Sequence, residues 1–148
     1  QKLSLTELVQ CFGNRAEELA ELARGIDNRP VQVDRIRKSF SREKTFSSDL
    51  NHEDAFVAMS TIFYETQDRL TTYLLVNPQY QVKTAIVKLK FSDFSSTTVE
   101  CAATHFELNT IQDLMTKALM RSNLDIRLIG CGVKFSHNSQ TSQAELFS

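Results

Sequence analysis

Glycine is scarce in this chain, with four in 148 residues. A GxGxxG turn or a P-loop needs several glycines at fixed spacing. Neither pattern occurs, so a Gly-rich loop that cradles phosphates is excluded. Cysteine is scarcer still. Cys11, Cys101 and Cys131 are odd in number and far apart, and no CxxC occurs. They read as buried or free thiols in a reducing cytosol, not as a disulfide framework or a zinc site. His52, His105 and His137 share no metal-ligand spacing, and His52 reads as a helix-start residue. Acidic residues sit singly in strands or in helix first turns. The clustered carboxylates with which polymerases and nucleases hold metal ions are missing. No apolar run is long enough to span a bilayer, and no signal peptide is present, so no membrane partner is expected. Neither sign of charge dominates. Lys and Arg number 17 against 18 Asp and Glu, a net charge of −1. Global charge therefore gives no argument for nucleic-acid binding, and any such argument rests on where the charges sit. The first residue is Gln1 rather than Met, which points to a processed chain or an excised fragment.

What is present is enough apolar residue for a core, 41% of the chain, at a length suited to one domain with or without a small appendage. Leu5, Leu8, Val9 and Phe12 form one stripe of a short helix over 4–12. Ser4 with Glu7 makes a capping-box pattern, and Gly13 ends the helix. Asn14 with Glu17 repeats the start signal for a second helix that Gly25 ends. Residues 26–35 read as a linker, with a turn at Asp27–Asn28 and Pro30 stopping any helix. A charged strand is expected over 36–46. Asn51 then caps a long helix over about 53–75, with Phe56, Met59, Phe63, Leu70 and Leu74 at helical spacing. Residues 82–92 alternate: Val87, Leu89 and Phe91 face one way, Lys88, Lys90 and Ser92 the other. A return strand over 97–103, a helix over 110–121 and a last strand over 126–135 follow. In the last strand Gly130 and Gly132 permit close backbone approach. The order β-α-β-β-α-β is most economically an α+β fold, a four-stranded β-sheet with two helices on one face. The polar tail is expected to be disordered.

The neutral total hides a segregation. The strand segments carry Arg35, Arg37, Lys38, Arg42, Lys44, Lys83, Lys88, Lys90, Arg127 and Lys134, against Glu43, Asp93, Glu100 and Asp125. If both helices cover one face, the other face inherits the lysines. Such a face, dotted with Ser and Thr, can lie along a phosphate backbone without reading bases. An ordinary solvated sheet face fits the composition as well. A base-stacking sheet would need exposed aromatics at the strand centres, and Phe91 falls on the core side.

Four segments carry a family resemblance: ARGIDNRPV (23–31), RKSFSREKTF (37–46), VKLKFSDFSSTT (87–98) and IRLIGCGVKF (126–135). In order and spacing they resemble the C-terminal region of Y-family translesion DNA polymerases of the polymerase IV type. The resemblance implies the end of the thumb helices at 1–25, a linker at 26–35, a little finger DNA-binding domain at 36–136 and a flexible tail at 137–148. It implies contacts to duplex template–primer DNA by Arg37, Lys38, Ser39, Lys88, Lys90, Ser92, Thr97 and Arg127. It also implies that the catalytic palm with its magnesium lies upstream. The parent would then be a cytoplasmic DNA-directed DNA polymerase, while this chain would hold no catalytic residue, metal site or cofactor and be inactive alone. Arg42 and Cys131 depart from the family's usual small or apolar and larger aliphatic residues, which leaves the facing of the strand near Arg42 open. The ending QAELF resembles the Q-x-x-L-F peptide that binds the bacterial sliding clamp, with Leu146 and Phe147 for an apolar pocket and Gln143 for polar orientation. A clamp-binding adaptor with little DNA affinity is the alternative reading.

Overall fold

A computed structural model describes residues 4–31 and 36–137. The chain divides into two units, residues 1–35 and 36–148.

The first unit is helical. Helix α1 spans Leu5–Phe12 and opens on the capping box: the Ser4 hydroxyl accepts from the Glu7 amide, and the Glu7 carboxylate accepts from the Ser4 amide at 2.7 Å. Gly13, at φ +56°, ends α1 in a conformation that suits glycine. A single 3-10 turn, Gly13–Arg15, then leads into α2, Ala16–Leu22. Asn14 thus lies inside that turn, and no side chain caps α2, which corrects the start signal expected there. Among the described residues of this unit the apolar stripe of α1 is left open, with Leu5, Val9 and Phe12 exposed and Ala16 alone buried. Downstream, the Asp27 carboxylate accepts from the Arg29 amide and guanidinium. That grip holds the Asp27 carboxyl down at about 2. Arg29 also reaches Glu18 of α2 at 3.1 Å, so the expected linker is folded back onto its own helix as far as it is described.

The second unit runs β1 (Ser39–Leu50), α3 (His52–Val76), β2 (Tyr80–Phe91), β3 (Ser96–Ala102), α4 (Leu108–Leu119) and β4 (Ile126–His137). This is the β-α-β-β-α-β order read from the sequence. The four strands form one antiparallel sheet in the order β1-β4-β2-β3. The last strand therefore inserts between the first and second, and β1 and β3 are the edges.

Both helices pack on one face. Ala55, Met59, Ile62, Phe63 and Leu70 of α3 share a single core with Ile111, Leu114, Met115 and Ala118 of α4. The sheet contributes Ala85, Val87, Leu89 and Phe91 from β2 and Ile126, Ile129, Cys131 and Val133 from β4. The period of two puts every second residue of each strand into this core and leaves the rest on the far side. Asn51 caps α3 by accepting from the Asp54 amide at 2.8 Å. The His52 ring meets the Leu124 carbonyl at 3.2 Å, which ties the helix start to the β4 approach. The buried polar side chain in this core, Thr66, donates to the Ile62 carbonyl one turn back and so needs no other partner. Beside it the Cys131 thiol is pushed up to about 11 by burial, so it stays protonated and packs as a small apolar group.

Candidate nucleic-acid interface

Residues paired across neighbouring strands point to the same face, so the registers define the helix-free side row by row. One row is Ser39, Lys134, Thr84 and Ala102; the next is Ser41, Gly132, Ile86 and Glu100. Then come Glu43, Gly130, Lys88 and Thr98, and last Thr45, Leu128, Lys90 and Ser96. The face is thus hydroxyl-rich at both edges. Its middle dips where Gly130 and Gly132 carry no side chain.

The two glycines are held by close packing. A Cβ on Gly132 would lie 2.2 Å from the Phe40 carbonyl oxygen and 2.5 Å from the Ser41 Cα. A Cβ on Gly130 would meet the Glu43 Cγ at 2.7 Å. Over the gap at Gly130 the Lys88 ammonium reaches Glu43 on the far strand at 3.0 and 3.1 Å. Lys134 crosses β2 in the other direction to pair with Glu100. Lys90 makes no ion pair among the described residues; its ammonium stands 5.4 Å from the ring centre of Phe94.

This corrects the charge segregation expected from the sequence. Arg42 and Lys44 are on the helix-covered side, since their register partners are the buried Cys131 and Ile129. Arg42 pairs there with Glu65 of α3 at 2.8 Å, and Lys44 lies over Phe46. The open face holds Lys88, Lys90 and Lys134 against Glu43 and Glu100, a mixed face with a small cationic excess. Arg35 lies outside the described residues.

The residues singled out for DNA contact are distributed unevenly. Ser39, Lys88 and Lys90 are on the open face. Arg127 occupies a β-bulge at the start of β4, with its guanidinium 4.7 Å from the Phe94 ring centre and 3.5 Å from Asp49. Arg37 is drawn elsewhere. Its guanidinium covers Phe40 and Tyr73, aromatic neighbours on the helix side, and donates to the Ser39 carbonyl. Lys38 is exposed just before β1, and its carbonyl accepts from Phe135. Ser92 belongs to the β2–β3 turn, where its amide donates to the Asp125 carbonyl. Thr97 departs from the expectation. It shares the face of Leu89, on the helix side, and its hydroxyl accepts from Arg121 at 2.7 Å. Gln143, Leu146 and Phe147 lie outside the described residues.

Residues 37–146 match the family model described as the impB/mucB/samB family C-terminal domain. The chain belongs to this family. Among curated relatives, DNA polymerase IV of Legionella pneumophila (strain Corby) is 35% identical over 147 residues, 99% of this chain and 41% of the relative. DNA polymerase IV of Protochlamydia amoebophila is 40% identical over 137 residues, 92% of this chain and 39% of the relative. The chain therefore spans about two fifths of the length of these relatives. The fold is also that of solved relatives. The complex of a beta-clamp processivity factor and the little finger domain of PolIV aligns at a TM-score of 0.61 and 23% identity, over 71% of this chain and 95% of that one. A Y-family DNA polymerase chimera aligns at 0.56 and 18%, over 88% of this chain and 38% of that one.

In this impB/mucB/samB domain two features were not among the contacts expected from the sequence. Lys134, counted there only as a strand cation, stands on the open face with Lys88 and Lys90, as the register shows. Phe94 is an exposed aromatic at the sheet's end rather than its centre, in a turn where aromatics were not sought. Among the described residues no group of three or more His, Cys, Asp or Glu side chains is placed to hold a metal ion. Among the same residues no helix is long and apolar enough to cross a membrane.

Proposed function

We propose that this chain is the duplex-gripping and clamp-tethering part of a cytoplasmic, error-prone translesion DNA polymerase. The observation that carries the reading is the helix-free sheet face, where Lys88, Lys90 and Lys134 stand among hydroxyls over a glycine floor. Lysines supply charge to backbone phosphates, and Ser and Thr supply short hydrogen bonds that carry no base information. The surface pairs to Glu43 and Glu100 are half-exposed, and pairs of that kind contribute roughly 0–1 kcal/mol each. A phosphate can therefore displace either carboxylate. Nucleotidyl transfer with its magnesium is assigned to the portion of the relatives outside the matched region. Gln143, Leu146 and Phe147 are assigned to a bacterial sliding clamp, a reading supported by the clamp complex of the PolIV little finger domain.

The test is a titration of the chain with a short duplex at several salt concentrations. Three phosphate-contacting lysines give a slope of log K against log salt of about −3. Replacing Lys88, Lys90 and Lys134 by Ala should flatten it. No binding at low salt, or binding indifferent to salt, would sink the duplex reading. The two carboxylates on the face favour a second reading, a clamp-binding adaptor with little DNA affinity. That reading wins if removing Leu146 and Phe147 abolishes clamp capture in a chain that never bound the duplex.

A further inference from the structure

Phe94 occupies a conformation that its side chain does not favour. Its φ is +67°, in the left-handed region where bulky residues are outliers and glycine or asparagine is usual. The turn holds it there from several sides. The Phe94 amide donates to the Phe91 carbonyl at 3.0 Å, and the Phe91 amide to the Ser95 carbonyl at 2.9 Å. The Asp93 carboxylate accepts from both the Ser95 amide and hydroxyl, at 2.9 and 2.6 Å. The Ser92 amide is anchored to the Asp125 carbonyl at 2.9 Å.

Core packing does not account for a phenylalanine here, because 60% of it is exposed. What the ring meets is two cations. The Arg127 guanidinium carbon is 4.7 Å from its centre, and the Lys90 ammonium is 5.4 Å. Two like charges have thus been gathered at one aromatic ring at the end of the open face. Asp49 faces Arg127 at 3.5 Å, while Asp93 is turned back onto Ser95. An aromatic face attracts a cation without neutralising it, so the pair stays available to an anion.

We propose that Phe94 is a positioning residue whose ring holds Lys90 and Arg127 together as a two-cation site for one backbone phosphate of bound DNA. The site rests on the duplex-binding reading and deepens it. The free chain spends the strain of a left-handed phenylalanine to arrange two long side chains before the ligand arrives. Preorganised side chains lose less freedom on binding.

The experiment compares Phe94→Leu, Phe94→Tyr and Phe94→Gly in the full chain, by duplex titration and thermal melting. Leucine keeps apolar bulk and removes the ring's quadrupole; tyrosine keeps the ring. Loss of two exposed cation–aromatic contacts predicts duplex affinity weaker by about three- to ten-fold in Phe94→Leu and Phe94→Gly, and restored in Phe94→Tyr. The salt slope should be unchanged in all three, since both cations are still present. Removing Lys90 and Arg127 together instead should lower the slope by about one. Phe94→Gly should melt at or above the parent temperature, because it relieves the left-handed strain. In a chain lacking both cations, Lys90→Ala with Arg127→Ala, Phe94→Leu should have no further effect. A further loss there would mean that the ring itself touches the ligand, which overturns the proposal. So would a lower melting temperature in Phe94→Gly or unchanged affinity in Phe94→Leu. A parent chain that binds no duplex would instead refute the duplex reading. The two failures are therefore distinguishable.

Discussion

At the scale of single residues, the two glycines of β4 look alike in sequence and differ in the structure. Both leave the open face bare. At Gly132 an added Cβ would meet backbone atoms of β1 at 2.2 and 2.5 Å, and backbone cannot step aside without parting the β1–β4 ladder. Forcing extra volume into packed structure costs roughly 1–3 kcal/mol, occasionally more. Gly132→Ala is expected at the upper end, about 3 kcal/mol, read as a lower urea midpoint at unchanged slope. At Gly130 the nearest obstacle is the Cγ of Glu43, part of a side chain that can rotate away, so Gly130→Ala should cost about 1 kcal/mol. Equal losses at the two positions would contradict the register. The sequence shows that some backbone comes close at Gly130 and Gly132. It does not show that the backbone belongs to β1, because two glycines carry no pattern that names a partner.

At the scale of elements, legibility followed the strength of alternation. In β2, Val87, Leu89 and Phe91 oppose Lys88 and Lys90 without a break, and the strand faces as read. In β1 the facing could not be read. It is an edge strand, half-exposed on its inner side, and its register shifts between Thr45 and Leu50. Hence Arg42 and Lys44 were counted with the bare face although they stand on the helix side. In β3 the signal was present: Thr97 stands two residues before the buried Val99 and must share its side. What sequence counting hid most was that two of the open-face lysines, Lys88 and Lys134, have carboxylate partners. If Glu43 and Glu100 compete with phosphate for Lys88 and Lys134, removing their charge should help DNA binding. Glu43→Gln and Glu100→Gln should each tighten duplex binding by about two- to five-fold at low salt, the range of a half-exposed pair. The gain should shrink as salt screens the exposed charges. Weaker binding in either variant would mean that the carboxylate orients its lysine for the ligand instead of competing with it.

At the scale of the whole molecule, the two units differ in what holds them. Residues 36–137 contain a continuous core, and every member of its buried cluster comes from β1 to β4 with α3 and α4 or the connections between them. Inserting β4 between β1 and β2 makes that core dependent on both ends of the unit, so its loss should be all-or-none. Residues 4–31 bury Ala16 alone and are otherwise held by exposed contacts: the capping box, the Asp27–Arg29 pair and Arg29 to Glu18. Exposed ion pairs of this kind add little, and an eight-residue α1 is too short to be stable on propensity. Local opening of such a segment costs far less than global unfolding. Limited proteolysis should therefore cut first within residues 1–35 and leave a resistant product that begins near Ile36. Amide exchange should follow the same division, slow in β2 and β4 and fast in α1 and α2. Removing residues 1–35 should leave a single cooperative melt within about 3 °C of the parent, since roughly 4–8 °C corresponds to 1 kcal/mol for a domain near this size. A drop larger than that, or slow exchange in α1, would show that the stripe of Leu5, Val9 and Phe12 is covered in solution and stabilises the rest of the chain.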